Sequence, residues 1–381
     1  MAVAYGGPMA DPVLTRRALN RATLARQLLL GRSDLSVADA VEHLVGLQAQ
    51  TPHTWYVGLW SRLLDAPAPA VSDLLGQRRL VRLALMRSTI HLVTARDAVA
   101  LRPHVQPVLE RGLQGNFGRH LVGLDRDALV AAGRELVEEH PLTFSQLGGR
   151  LAVRFPDRDP AALAQAVRAW VPLVQVPPRG QWGRAGPAAH TTVESWLADQ
   201  PRRDQTIDDM VLRYLAAFGP ASVRDLRTWS GLTGLGDVVG RLRSRLVAFR
   251  DEAGVALIDL PDAPRPDPDA PAPPRFLYDF DNLLLSHADR SRVISVPHQQ
   301  QGRGPDGTMP RFVLVDGFTA GTWTTATATG RDSRATLIIQ PFGRLSTADR
   351  AALAVEGQAL LRFLTPETGE TDVVIRPAAD G

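Results

Sequence analysis

Neither cysteine nor lysine occurs anywhere in the 381 residues. The missing cysteines exclude disulfides, thiolate zinc sites and cysteine nucleophiles. The missing lysines leave arginine as the source of all 43 positive side chains. Without lysine no Schiff base can form on a side-chain amine, so bond cleavage through a lysine imine is excluded. No apolar run approaches the roughly 20 residues that a membrane span needs. The first twenty residues lack the basic start and apolar stretch of a signal peptide. These readings predict a soluble cytoplasmic protein, and nucleic-acid binding would make it nucleoid-associated. The nine histidines are scattered, with no His-Glu-x-x-His spacing, and no Gly-x-Gly-x-x-Gly or Walker-type loop occurs. No metal and no cofactor are expected.

What is present is a near-neutral chain with uneven charge. The net charge is +3. Residues 51–120 carry nine arginines against four acids, while residues 261–381 carry twelve against fifteen. A basic segment in a near-neutral protein fits phosphate binding, and equally a solvated arginine-rich face.

Periodicity divides the chain into units. Leu14, Leu19, Leu24 and Leu28 mark a helix over 14–30, Ser36 caps a helix over 36–47, and Trp55, Leu59, Trp60 and Leu63 mark one over 54–64. A short helix follows at 71–76. Two β-segments at 80–85 and 89–93 come next, then helix again over 96–120. Helices followed by a two-stranded hairpin make the winged-helix plan. The plan recurs with a period near 70–80 residues: "LTFSQLGGRL" at 142–151 and "PASVRDLRTW" at 220–229 hold equivalent places, each with a capping Thr or Ser. The third copy ends in a hairpin, 246–250 against 255–260. Pro261–Pro274 is a proline- and aspartate-rich linker expected to be extended. Beyond it, strands are expected at 292–296, 312–315, 321–329 and 335–339, then a helix at 347–363 and a strand at 373–375. The expected boundaries are 11–122, 123–200 and 201–260 for three winged helices, 261–274 for the linker and 275–381 for a β-rich domain.

The segment Gly46-Leu47-Gln48-Ala49-Gln50-Thr51-Pro52-His53 is the most informative. Residues two apart diverge on a helix and share a face on an extended chain. Pro52 pushes Thr51 out of the helical region, so the chain can aim Gln48 and Gln50 the same way. Two neighbouring carboxamides can hold one water by several hydrogen bonds. Spacing alone also fits a polar helix end with two solvated glutamines.

Gln48-Ala49-Gln50, with Arg87-Ser88-Thr89-Ile90-His91-Leu92 downstream, resembles the winged-helix DNA glycosylases of the AlkZ/YcaQ family. The resemblance extends through Asp281-Asn282-Leu283-Leu284-Leu285-Ser286-His287-Ala288-Asp289-Arg290-Ser291-Arg292-Val293 and Val315-Asp316-Gly317-Phe318-Thr319-Ala320-Gly321-Thr322-Trp323. It covers about residues 14 to 376. It implies an α+β fold, with three tandem winged-helix motifs plus a C-terminal β-barrel-like domain around a DNA-binding cleft. It also implies that Gln48 and Gln50 are the catalytic pair, in the branch with Gln rather than Asp at the second position. The implied reaction is monofunctional hydrolysis of the N-glycosidic bond of N7-alkylated purines. The adducts would be bulky natural-product lesions or interstrand crosslinks in double-stranded DNA, in repair or self-resistance. An N7-alkylated guanine is cationic and leaves as a neutral base, so what remains is to position water on C1′ as oxocarbenium character develops. Amides orient water but are poor bases compared with a carboxylate.

Arg87, His91, His287, Arg290, Arg303, Arg311, Arg241 and Arg243 are the candidate DNA contacts. Each has a plainer alternative as a structural or solvated residue. Residues 297–311 read as a polar, glycine-rich hairpin loop able to enter a groove, and 241–245 as the end of a recognition-type helix. A monomer is expected. The competing function is a tandem winged-helix DNA-binding regulator without catalysis.

Overall fold

The computed structural model describes residues 11–198, 204–301, 309–328 and 334–378. The fold is mixed helix and sheet, with three sheets. Helix starts follow capping chemistry. Thr15, Ser36, Thr94, Asp125, Thr143, Asp159, Thr206 and Ser222 each accept a backbone N–H of the first turn. The "LTFSQL" and "PASVRDL" signals become the helices Phe144–Arg154 and Val223–Ser230, each with a full capping box. Helix triplets followed by strands recur at 126–175 and 207–259.

The expected hairpin near residue 85 is Leu80–Ala84 against Ile90–Thr94. It sits inside a five-stranded antiparallel sheet ordered Leu47–Gln48, Ile90–Thr94, Leu80–Ala84, Leu173–Gln175, His190–Thr192. This sheet crosses residue 122, where sequence places the first boundary. The second hairpin, Val247–Asp251 with Ala256–Asp259, gains the N-terminal strand Val13–Leu14 as a parallel neighbour. The C-terminal sheet is ordered Glu370–Ile375, Arg334–Pro341, Phe318–Ala328, Phe312–Val315, Arg275–Phe276 and curls into a half-barrel. The helix Thr347–Leu364 buries Leu353, Leu360 and Leu361 beneath it.

The linker is held in place. Arg21 donates to Ala270 O at 2.7 Å, and Arg26 donates to Pro264 O. Arg26 also makes a buried two-bond pair with Asp259 at 2.6 and 2.8 Å, while Arg265 reaches the same carboxylate. The N-terminal helix Arg16–Arg26 thus ties this second hairpin to the linker.

Several expectations need correction. The helix expected over 36–47 stops at His43, because Val45 and Gly46 both turn left-handed and the chain then finds a strand partner. The helix expected over 96–120 breaks into Ala95–Leu101 and Gln106–Phe117 around Pro103. The strand expected at 292–296 is a turn. Arg292 there is buried against Pro220 O and Thr23, and Ser295 begins the helix Val296–Gln301. The reading of 297–311 as a loop is therefore wrong for its first residues. Residues 302–308, Arg303 among them, lie outside the described residues.

The large sheet divides two cores. Leu83, Val81 and Val93 face the helices of the three-helix units. Leu47, Ala49 and Leu92 face the helix Trp55–Trp60, the helix Ala68–Gly76 and the C-terminal sheet. The glutamine segment runs along the edge of this sheet, between the two halves of the molecule.

Candidate active site

The glutamine segment is extended because the sheet makes it so. Leu47–Gln48 pairs antiparallel with Ile90–Thr94, placing Leu47 opposite Leu92 and Gln48 opposite His91. Ala49 N donates to Ile90 O at 2.7 Å, which carries the ladder one residue further. Gly46 makes the entry possible. Its φ is +88°, and a Cβ there would lie 2.6 Å from Val93 Cγ1 and 2.9 Å from Leu92 O. The pairing ends after Ala49, because the next donor of the partner strand, Ile90 N, bonds the Gln50 side chain instead of the backbone; Pro52 follows beyond the strand.

Directly opposite residues in an antiparallel pair point to the same face. Gln48, His91 and Leu83 therefore share one face of the sheet. Gln48 is buried and Gln50 is exposed. Both carboxamides are fixed by donors. Arg87 Nη2 donates to Gln48 Oε1 at 2.6 Å, and Ile90 N donates to Gln50 Oε1 at 3.2 Å. An N–H can only donate, so these contacts settle which end of each amide is oxygen. One lone pair on each oxygen is used; the second, and the amide N–H groups, remain for a ligand. Gln50 takes the place of a backbone carbonyl in the ladder, which holds its side chain along the strand edge.

Arg87 owes its position to an unusual turn. Met86–Ser88 forms a single 3₁₀ turn at the tip of the hairpin, and Arg87 and Ser88 both have positive φ, 54° and 61°. Arg87 also donates to Trp229 O, on the helix Val223–Ser230 of the third unit. Arg168 fixes the neighbouring residue, donating to Ser88 O at 2.7 Å. Burial pushes the Arg87 guanidinium down to about 10, so it remains charged at neutral pH. A second guanidinium, Arg82, reaches Ala49 O at 2.7 Å from the opposite face and is pushed down to about 10 by burial and by Arg179. His91 is 2% exposed, with Nδ1 3.0 Å from Thr89 O. Burial and the Arg87 charge push it down to about 3, so its ring is neutral.

Gln48, Gln50, Arg87 and His91 are thus brought together. The other candidates are not part of this cluster. His287 is buried, with Nε2 3.0 Å from Phe218 O. Arg290 donates to Gln299 at 2.5 Å, and Arg311 stacks its guanidinium 5.2 Å from the Trp323 ring centroid. Arg241 pairs with Asp208 at 2.6 Å at the end of the helix Leu235–Arg241, and Arg243 is exposed just beyond it. Trp55, beside the glutamines in sequence, is fully buried and donates to Pro52 O. Among the described residues no group of His, Asp and Glu side chains could hold a metal ion, and no helix is long and apolar enough to cross a membrane.

Sequence reasoning did not assign Asn282, Asp279 or Arg168. Asn282 bonds both Gly46 and Gln48, and Asp279 accepts from Thr51 Oγ1. Asn282 lies within the long C-terminal motif, so a signal existed; Arg168 carried none.

In fold, this scaffold matches a DNA glycosylase: Streptomyces sahachiroi DNA glycosylase AlkZ aligns with a TM-score of 0.77 and 19% identity, over 96% of this chain and 100% of that one. The chain belongs to the family described as DNA glycosylase AlkZ-like, whose model matches residues 41–363. A curated relative from Streptomyces sahachiroi, an interstrand DNA cross-link repair glycosylase, is 25% identical over 322 residues, covering 79% of this chain and 85% of the relative. Family membership makes this protein a DNA glycosylase with a DNA substrate, and sets aside the reading of a regulator without catalysis.

Proposed function

We propose that this enzyme hydrolyses the N-glycosidic bond of N7-alkylated, cationic purines in double-stranded DNA, with Gln48 and Gln50 holding the attacking water. The observation that carries the reading is the fixed orientation of the two carboxamides. Their free oxygen lone pairs can accept the protons of one water while that water's own lone pair faces C1′. Preorganised dipoles of this kind lower the barrier without reorganising during the reaction.

The residue types narrow the substrate. Glutamine is a poor general base, and the histidine on the same face is neutral with a strongly depressed basicity. Chemistry resting on these groups needs a base that departs unaided, which is what N7-alkylation supplies. Arg82 and Arg87 place positive charge around the pair. That charge suits the phosphates of DNA, and those phosphates in turn offset the charge that develops on the sugar.

The relative's description as an interstrand cross-link repair glycosylase supports crosslinks as part of the lesion class; bulky adducts and a setting of self-resistance to a DNA-alkylating natural product extend the proposal. The enzyme acts as a monomer and contacts the DNA backbone through Arg290, Arg311, Arg241 and Arg243. With no lysine in the chain, it leaves an intact abasic site.

The test is a panel of duplexes carrying a methyl N7-guanine adduct, a bulky N7-guanine adduct, an N7-guanine crosslink and an uncharged damaged base. Heat or alkali then reveals abasic sites. The expected result is base release from the cationic adducts only, with no strand break before alkali. Equal release from the uncharged lesion contradicts the proposal.

A further inference from the structure

The glutamine strand lies at the edge of its sheet, so one side of its backbone has no strand partner. An edge of unpaired N–H and C=O groups needs other partners when buried. Here a side chain takes that place. Asn282 Nδ2 donates to Gly46 O at 2.6 Å, and Gln48 N donates to Asn282 Oδ1 at 3.2 Å. The asparagine amide thus bonds the strand as the next peptide unit would, immediately beside Gln48.

Asn282 is itself held firmly. Asp281, the cap of the short helix Asn282–Leu285, is buried and takes two bonds from Arg62, at 3.0 and 2.7 Å. Arg62 lies just after the helix Trp55–Trp60 and also donates to Gly58 O. Three residues before Asn282, Asp279 accepts from Thr51 Oγ1, on the far side of the glutamines. Between these two contacts Phe280 has φ of 61°, a conformation that non-glycine residues seldom adopt. This turn lets Asp279 and Asn282 reach the strand from one short segment. A strained residue of this kind persists where its surroundings over-determine it.

We propose that Tyr278–Asn282 is a brace from the C-terminal domain, and that Asn282 is a positioning residue that sets where Gln48 and Gln50 point. The segment from Gly46 to Thr51 is gripped on one edge by Ile90–Thr94 and on the other by Asn282 and Asp279. Neither Asn282 nor Asp279 is assigned a contact with the substrate; they act through the backbone that carries the glutamines. The inference rests on the reading of Gln48 and Gln50 as the catalytic pair.

The experiment is single-turnover base release from an N7-methylguanine duplex in excess full-length enzyme. The variants are Asn282→Ala, Asn282→Asp, Thr51→Val, Gln48→Ala and the double variant Gln48→Ala/Asn282→Ala. A misplacement of about 1 Å at a catalytic group costs about 100-fold in rate. Asn282→Ala is therefore expected to slow release by about that factor, with DNA affinity close to wild type. Asn282→Asp keeps the acceptor for Gln48 N but loses the donor to Gly46 O, and is expected to fall in the same direction. The decisive readout is the double variant: if Asn282 acts through Gln48, it is no slower than Gln48→Ala alone. Losses that multiply in the double variant, or a loss in Asn282→Ala that is matched by lost DNA binding, overturn the brace. Thr51→Val removes only the second contact and keeps the test available if Asn282 variants do not fold; a wild-type rate there overturns the Asp279 arm. If Gln48→Ala itself releases base at the wild-type rate, the catalytic pair has failed. A slow Gln48→Ala beside a wild-type Asn282→Ala sinks only the brace.

Discussion

Mild acid should destabilise this enzyme before it alters the chemistry of its active site. His91 and His190 are each 2% exposed, and burial pushes them down to about 3 and about 4. Both rings are therefore neutral in the folded protein, whereas in the unfolded chain they protonate near 6.5. A depressed basicity in the fold means that the unfolded state binds more protons as pH falls. Stability from these groups is fully present above pH 6.5, and is lost progressively as pH drops toward 4 and 3. Each group loses about 1.4 kcal/mol per pH unit in that window. At pH 5 each has lost about 2 kcal/mol, so the two together cost about 4 kcal/mol, a large part of the roughly 5–15 kcal/mol that holds a typical domain. His287, buried against Phe218 O and Arg292, shifts in the same direction through burial and adds to the effect. The assay is urea denaturation at half-unit steps from pH 7.5 to 4.5. The midpoint is expected to be flat above pH 6.5 and to fall steeply below it. In the variant His190→Phe, whose ring keeps the stacking on Phe144 seen at 4.1 Å, the slope should drop by about one ionisation. A midpoint independent of pH between 7 and 5, or an imidazole signal of His91 titrating near 6.5, would refute the reasoning. The same groups set the rate profile. Glutamine does not titrate and His91 stays neutral, so single-turnover release should be flat across the range in which the protein remains folded.

Other outcomes follow from single contacts. Arg87→Ala frees the Gln48 carboxamide, so single-turnover release should fall by about 10- to 100-fold; if the main role of Arg87 were a phosphate contact, DNA affinity and its salt slope would drop instead. Asp259→Ala leaves the buried Arg26 guanidinium without its carboxylate, and denaturant unfolding should show a loss of about 3–5 kcal/mol; a change near zero means that the pair is not buried in solution.

Much of the scaffold was legible because local signals and tertiary structure agree. The capping residues Ser36, Thr143 and Ser222 mark helix starts that the fold uses, and the 246–260 hairpin falls within a residue of its place. Where sequence failed, long-range contacts decided. The helix expected to run to residue 47 stops at His43 because an edge strand, formed with a hairpin more than 40 residues away, captures Leu47 and Gln48. The strand expected at 292–296 is a turn because buried Arg292 is drawn to Pro220 O, more than 70 residues back. Pro52 gave the right extension of the glutamine segment for an incomplete reason, since the sheet extends it first. Within the site, the glutamines stood out by family resemblance, and Arg87 and His91 by their place in the hairpin motif that carries the same resemblance. Asn282, Asp279 and Arg168 act through contacts spanning 80 to more than 230 residues, which no local pattern records.

The central claim is that Gln48 and Gln50 together position the water that cleaves the glycosidic bond. The most direct measurement is single-turnover release of N7-methylguanine by wild type, Gln48→Ala, Gln50→Ala and the double variant, with duplex affinity measured alongside. Loss of a group that acts in the transition state lowers the rate by about 10²–10³-fold while binding is kept, and residues that act as a unit are far from additive. Each single variant is expected to fall by about that factor, the double variant little further, with the Kd for damaged duplex nearly unchanged. Wild-type release by Gln50→Ala, or losses that appear only in Kd, would contradict the account.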